Sequence, residues 1–134
     1  MKQRIEYRVF PIDTQGSTAV GISLPFNKKG IFGLNYTTQD QVKTNLTNFM
    51  LTNAGERVYN VDYGADLGGL LWEPQGNTDE INARIMDRIK AYFPQITVSS
   101  LNFSKDEDRG YLFVTLKYSF NRVEDSLIIG LQLQ

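Results

Sequence analysis

YLFVTLKYSF, residues 111–120, alternates without a break: Leu112, Val114, Leu116, Tyr118 and Phe120 fall on one side. A period of two over that length places every second side chain on one face, so the stretch predicts a half-buried β-strand. Its neighbours extend the pattern. Upstream, ITVSSLNF (96–103) reads as a second strand, and the polar SKDEDRG (104–110) between them as a hairpin loop. Downstream, residues 121–125 read as a connector. SLIIGLQLQ (126–134) then puts Leu127, Ile129, Leu131 and Leu133 on one side, with Ile128, Gly130 and Gln132 on the other.

The period changes before this run of strands. Thr38 is a candidate N-cap, with Gln41 three residues on as its capping-box partner. Val42, Leu46, Phe49 and Met50 then recur at helical spacing, and Gly55 is placed to stop the helix in a left-handed conformation. Leu67, Leu70, Leu71 and Trp72 suggest a short amphipathic turn before Pro74. Asn77 with Glu80 caps a second long helix, lined on one face by Ile81, Ile85, Ile89 and Tyr92 and ended by Pro94. The first third holds short extended pieces: IEYRVF, with Ile5, Tyr7 and Val9 on one side, and TAVGISLPF, followed by a turn at Asn27 to Gly30. GIFGLNY (30–36) is too rich in glycine for an assignment. The order is short strands, two helices, then three strands. It predicts an α+β domain with two main helices packed on a mostly antiparallel sheet.

Composition narrows the function classes. At 134 residues, 41% hydrophobic and 22% charged, the chain has the size and make-up of one globular domain. A formal net charge of −1 provides no general electrostatic attraction for nucleic acid or an anionic membrane, which leaves only local patches. No apolar run approaches the ~18 residues that cross a bilayer, and the N-terminal MKQRIEYRVF lacks the apolar core of a signal peptide. With no cysteine and no histidine, thiolate chemistry and the commonest general base and metal ligand are missing.

Any enzyme here would have to work with carboxylates, Lys, Tyr or Ser, and the carboxylates crowd in and just after LTNAGERVYNVDYGADL (51–67). Glu56, Asp62, Asp66 and Glu73 fall within eighteen residues. A glycosidase needs two carboxyls about 5 to 9.5 Å apart, and nothing in this spacing fixes that geometry. Asp106, Glu107 and Asp108 lack the glycine and terminal glutamate of a calcium loop, and Gly64, Gly68 and Gly69 form no phosphate cradle. The plainer readings of Glu56 and Arg57 are a local ion pair, or an arginine turned inward onto backbone carbonyls or the carboxylate of Asp62 or Asp66. The crowding of complementary groups favours the inward arginine.

The same stretch carries a resemblance. A helix ending in Leu51 and Thr52, then Gly55-Glu56-Arg57, then Asp62-Tyr63-Gly64 and Leu67, is similar to the baseplate wedge family typified by the gene-25 protein of T-even phages. Relatives occur in contractile phage tails, tailocins and type VI secretion baseplates. ISLPF and GIF upstream, and the order of helix, proline, hairpin and terminal strand downstream, extend the likeness over nearly the whole chain. Two departures stand out. Val61 replaces a proline common in relatives, which leaves the loop less constrained. Phe93-Pro94-Gln95 stands where many relatives have Glu-Pro-Arg, a motif the family uses to dock on a helical core bundle of wedge proteins. The resemblance thus implies that this docking contact is lost here or made apolar by Phe93.

The resemblance implies a structural, non-enzymatic subunit without metal or cofactor, in a single domain of three parts: 1–36 extended, 37–95 helical with the Gly55-Glu56-Arg57 loop, and 96–134 the C-terminal sheet. It implies sheath and wedge proteins as partners, with tail tube or hub proteins as further contacts and neither nucleic acid nor membrane. The place of action would be the tail baseplate of a virion assembled in the host cytoplasm. Sheath arms would add strands to the sheet carrying Leu127, Ile129, Leu131 and Leu133. The alternatives from other classes are a carboxylate-dependent cell-wall glycan hydrolase and a generic α+β adaptor.

Overall fold

The structure, a computed structural model, describes residues 10–14, 18–24, 33–70 and 78–132. The expected strand before Phe10, the turn at Asn27 to Gly30, the placement of Leu71 and Trp72, the Asn77 cap, Glu73 and Leu133 lie outside those residues.

The alternating stretch is the middle of the sheet. Strand β3 (Ile96–Asp106), β4 (Tyr111–Phe120) and β5 (Val123–Gln132) form an antiparallel sheet in the order β3-β4-β5. Leu112, Val114, Leu116, Tyr118 and Phe120 are all buried, joined on the same face by Leu101 and Ile96 of β3 and by Leu127 and Ile129 of β5. Leu131 is partly buried beside them. Because one face is apolar, a slip of one residue would turn the whole set to water, and this pins the register.

Two details of the sheet differ from the sequence reading. β3 continues to Asp106, leaving only residues 107–110 as the turn, and it carries a bulge between Val98 and Ser100. The extra residue explains why ITVSSLNF does not alternate strictly: Ile96 and Val98 face the core before the bulge, Leu101 and Phe103 after it. β5 begins at Val123, three residues earlier than expected. Asn121 and Arg122 take φ of 51° and 64°, so two left-handed residues make a tight turn of the kind that matches strand twist. Phe120 pairs directly with Val123 across it. An arginine in the second position, where glycine is usual, hid the turn.

The helices cover this apolar face. α1 (Thr38–Leu51) contacts β5, and α3 (Thr78–Tyr92) contacts β3. Val42, Leu46, Phe49 and Met50 of α1 are buried, as are Ile85 and Ile89 of α3, with Ile81 and Tyr92 packed at the margin. The expected stripes are the observed ones, and the fold is α+β.

Both ends of α1 differ from expectation by a local bond. The N-cap is Thr37: its hydroxyl accepts the Asp40 N–H at 3.2 Å and donates to Asp40 Oδ2 at 2.8 Å. Thr38 is instead held by Asp13, of a short 3-10 helix at Pro11–Thr14; Asp13 Oδ1 accepts both its N–H and its hydroxyl at 2.7 Å. The helix stops at Leu51 with Thr52 extended, so Gly55, at φ 89°, belongs to the following loop and is not the helix stop.

A two-strand ribbon, β1 (Gly21–Ile22) with β2 (Leu34–Asn35), rests on α1. Asn35 is buried, and its amide donates to Thr44 Oγ1 at 2.8 Å, Gln41 Oε1 at 3.0 Å and Ile22 O at 3.3 Å. That bonding satisfies a polar group that would otherwise be costly to bury.

The β4–β5 turn is open to a direct check. Arg122→Gly removes a side chain from a left-handed position and restores the favoured Asn-Gly pair, so stability should rise by about 0.5–1 kcal/mol. A thermal melt reads this, and a lower midpoint would contradict the turn assignment.

Candidate functional site

The loop between α1 and α2 (Leu67–Leu70) is built almost entirely from its own polar groups. Glu56 closes its first turn, accepting the Asn53 N–H at 3.0 Å with one oxygen and the Asn53 amide at 3.1 Å with the other. Asn53 in turn accepts the Gly68 N–H at 3.1 Å, and Asp66 accepts that of Ala54 at 3.4 Å. Gly55 N–H donates to Val61 O at 2.8 Å, folding the tip back on its stem. The returning chain locks onto the end of α1: Ala65 N–H reaches Phe49 O at 3.1 Å and Asp66 N–H reaches Thr52 O at 3.3 Å. Gly64, at φ 116°, passes so close to Thr52 that a Cβ would collide with its carbonyl.

The inward arginine of this loop is not Arg57. Arg57 is exposed, and its guanidinium lies 4.2 Å over the Tyr63 ring. A cationic plane over an aromatic face needs no carboxylate partner. Arg88, from the partly buried flank of α3, takes the role expected of Arg57 and donates to Gly64 O at 2.9 Å. Tyr92 adds a second tie, its hydroxyl donating to Asn60 Oδ1 at 3.1 Å. Asp62 is exposed, whereas Tyr63 and Leu67 are buried in the core. Held by these bonds, the tip presents Val58, Tyr59 and Val61, which are 81%, 101% and 58% exposed.

At the far end of α3 the Phe93-Pro94-Gln95 segment divides. Phe93 is buried, edge-on to Phe49 at 5.5 Å, so its side chain is a core contact and offers no apolar docking surface. Pro94 and Gln95 are exposed. Pro94 borders an open groove of about 480 Å³ that Met86, Lys90, Ile96, Thr97 and Val98 also line.

The third element is the sheet edge. Among the described residues β5 is an outer strand, and Leu127 and Ile129 turn into the core as expected. Its first half is clamped by Asp125, whose Oδ1 accepts Lys43 Nζ of α1 at 3.1 Å and the Ser126 N–H at 2.8 Å. Tyr118 donates to its Oδ2 at 3.3 Å. Burial tends to raise the Asp125 carboxyl, but the Ser126 N–H, Lys43 and the Tyr118 hydroxyl together hold it below the ordinary aspartate value. Burial, with the Asp125 charge second, pushes the Tyr118 phenol up. On the outer face, Ile128 is 68% exposed and the Phe113 ring lies over Gly130.

None of Asn53, Asn60, Arg88 or the Lys43–Asp125 pair figured among the expected site residues. Asparagine next to a glycine turn was a signal for Asn53. Lys43 and Asp125 lie 82 positions apart and left none. Among the described residues, no cluster of three or more aspartate or glutamate side chains is placed to hold a metal. No described helix is long and apolar enough to cross a membrane.

Two measurements follow. Arg57→Ala should cost only about 0.5–1 kcal/mol, the worth of an exposed cation–π contact. Arg88→Ala should cost about 1–3 kcal/mol, since it strips a partly buried carbonyl of its donor. Urea unfolding of both variants checks the order, and a larger loss for Arg57→Ala would reverse these assignments. Acid unfolding checks the Asp125 clamp. A carboxyl whose folded pKa is lowered contributes stability above its unfolded value of about 3.9, and that stability is lost as pH falls through the lowered value. Wild type should therefore exceed Asp125→Asn by up to about 1 kcal/mol near neutral pH, a modest figure because the Lys43 side chain is 41% exposed. The gap should close below about pH 4; a gap independent of pH would refute the clamp.

Comparison with known proteins places this geometry. The sequence model of the family described as Baseplate wedge protein gp25 matches residues 37–124. No curated protein sequence matches the chain. Among solved structures, a Geobacter sulfurreducens protein provisionally named a tail lysozyme aligns with a TM-score of 0.60 at 17% identity, covering 73% of this chain and 93% of that one. A chain of the anti-feeding prophage baseplate aligns with a TM-score of 0.56 at 19% identity, covering 75% of this chain and 84% of that one. At such identities these two structures speak for the α+β fold. The family match, which takes in α1, the loop, α3 and most of the sheet, identifies the protein: it belongs to the baseplate wedge protein gp25 family, with the structural role in a tail baseplate that this membership carries.

Proposed function

We propose that this chain joins the baseplate wedge of a contractile injection machine, a phage tail before a tailocin or secretion system, to the first sheath ring. It starts sheath assembly by accepting a strand at β5. The observation that supports this reading is the character of the β5 edge. Native sheets blunt their edges with charge, proline or bulges. β3, the other outer strand among the described residues, has the bulge after Val98 and ends in Lys105 and Asp106. From Leu127 to Gln132, β5 has no charge, proline or bulge. Main-chain groups on such an edge add a strand by β-augmentation, and alternating side chains set its register.

The partners on this reading are the sheath protein at β5 and wedge proteins of the core bundle at the exposed Pro94-Gln95 corner and its groove. The Val58, Tyr59 and Val61 tip is a second wedge contact, and tube or hub proteins are further neighbours. The subunit works in the tail baseplate after assembly in the host cytoplasm. It is not an enzyme on this reading. Glu56 has both carboxylate oxygens bonded to Asn53, and Asp62 is exposed, whereas a glycosidase acid is kept protonated by an apolar surround.

Two experiments test the proposal. Deleting residues 130–134 should leave wedge and tube assembly intact but prevent the first sheath ring from attaching, as seen by electron microscopy of the particles. Normal sheaths on the truncated protein would remove the initiator reading. Purified protein should show no glycan-cleaving activity on peptidoglycan. A robust rate abolished by Glu56→Gln or Glu73→Gln would establish the hydrolase in its place.

A further inference from the structure

The β5 edge does not offer its whole length. Phe120 pairs with Val123 across the two-residue turn, and this fixes which way each later main-chain group points. Val123, Asp125, Leu127, Ile129 and Leu131 bond inward to β4. Glu124, Ser126, Ile128, Gly130 and Gln132 direct their N–H and C=O groups outward.

One of those outward amides is already engaged. The Ser126 N–H donates to Asp125 Oδ1, on a carboxylate that also holds Lys43 and the Tyr118 hydroxyl. Tyr118 is 1% exposed, and Lys43 comes from α1, so the clamp is anchored in the core and in the helix above the sheet. A charge-assisted bond of this kind is stronger than the neutral amide–carbonyl bond that would replace it. An inward-pointing charge is also one of the devices by which edge strands refuse partners.

We infer that Asp125 is the stop that sets the register of the added strand. The incoming strand ladders onto Ile128, Gly130 and Gln132 and ends before Ser126. The occupant is then a short extended segment of a second protein, uncharged over its paired residues. It is apolar where it meets Ile128, because cross-strand neighbours on an exposed face contribute most when both are apolar or aromatic. Phe113, lying over Gly130, continues the same apolar strip. This inference rests on strand addition at β5 and adds its limit and its register.

A proline scan of the outward positions separates the two ideas. A proline there removes an N–H that β4 does not use, so the sheet itself is spared, and melting temperatures verify that each variant folds. Particles carrying Ser126→Pro should bear normal sheaths, while those carrying Ile128→Pro or Gly130→Pro should bear none. A block by Ser126→Pro as complete as that by Ile128→Pro would overturn the stop. Normal sheaths on all three variants would overturn strand addition at this edge and the proposed function with it. Amide hydrogen exchange on the isolated chain gives an independent reading. Corrected for intrinsic rates, Ser126 should exchange more slowly than Ile128 and Gly130. Asp125→Ala should speed Ser126 roughly tenfold and leave the other two unchanged. Equal rates at the three positions in the wild type would also overturn the stop.

Discussion

Phe49 is the point on which the helical half of the molecule depends. Its ring stands edge-on to Tyr63 at 5.1 Å and to Phe93 at 5.5 Å, with Tyr92 tilted against it at 5.7 Å. Its carbonyl accepts the N–H groups of Thr52 and Ala65. One residue therefore joins the last turn of α1, both ends of the loop and the end of α3, by dispersion through its ring and by hydrogen bonds through its backbone. Edge-to-face aromatic pairs add about 0.5–1.5 kcal/mol each beyond the area they bury. The loop is placed by this cluster, and its polar groups then finish the shape.

The features that sequence made legible are those written in a period. Five alternating residues of β4 and the i, i+3, i+4 stripes of α1 and α3 each state which face is buried, and burial follows them. The misread features are those decided by competition between nearby equivalents. Two adjacent threonines could each cap α1, and Asp13, remote in sequence, engages Thr38 and leaves Thr37 to the cap. Two arginines could each turn toward the loop, and the one on α3 does so because a helix delivers it to Gly64 O, while Arg57 finds an aromatic face beside it. The family motif was readable as a pattern of residues. The division of labour within it, Glu56 bonding Asn53 and Arg57 stacking on Tyr63, was not.

Two of the three candidate contact regions, the sheet edge and the loop, are linked by one rigid element. Lys43, which holds the Asp125 clamp, and Thr52, which begins the loop, are nine positions apart on or just after α1. That is roughly 13 Å of helix. A displacement at one is carried to the other without a hinge, since α1 has neither proline nor glycine along its length. Such stiffness suits a structural subunit of a tail baseplate.

The sheet is assembled from consecutive hairpins, so every strand pairs with its neighbour in sequence. Such pairings are local, and chains rich in them cross a lower entropic barrier on folding than chains that must join distant segments. The order of synthesis works in the other direction. α1 and α3 leave the ribosome before β4 exists, carrying apolar stripes with nothing to cover them. The time between the emergence of α3 and the closing of the second hairpin is then the interval in which this chain is most prone to associate wrongly with its copies. Joined by only two residues, Asn121 and Arg122, β4 and β5 pair with little loop-closure entropy once both have emerged.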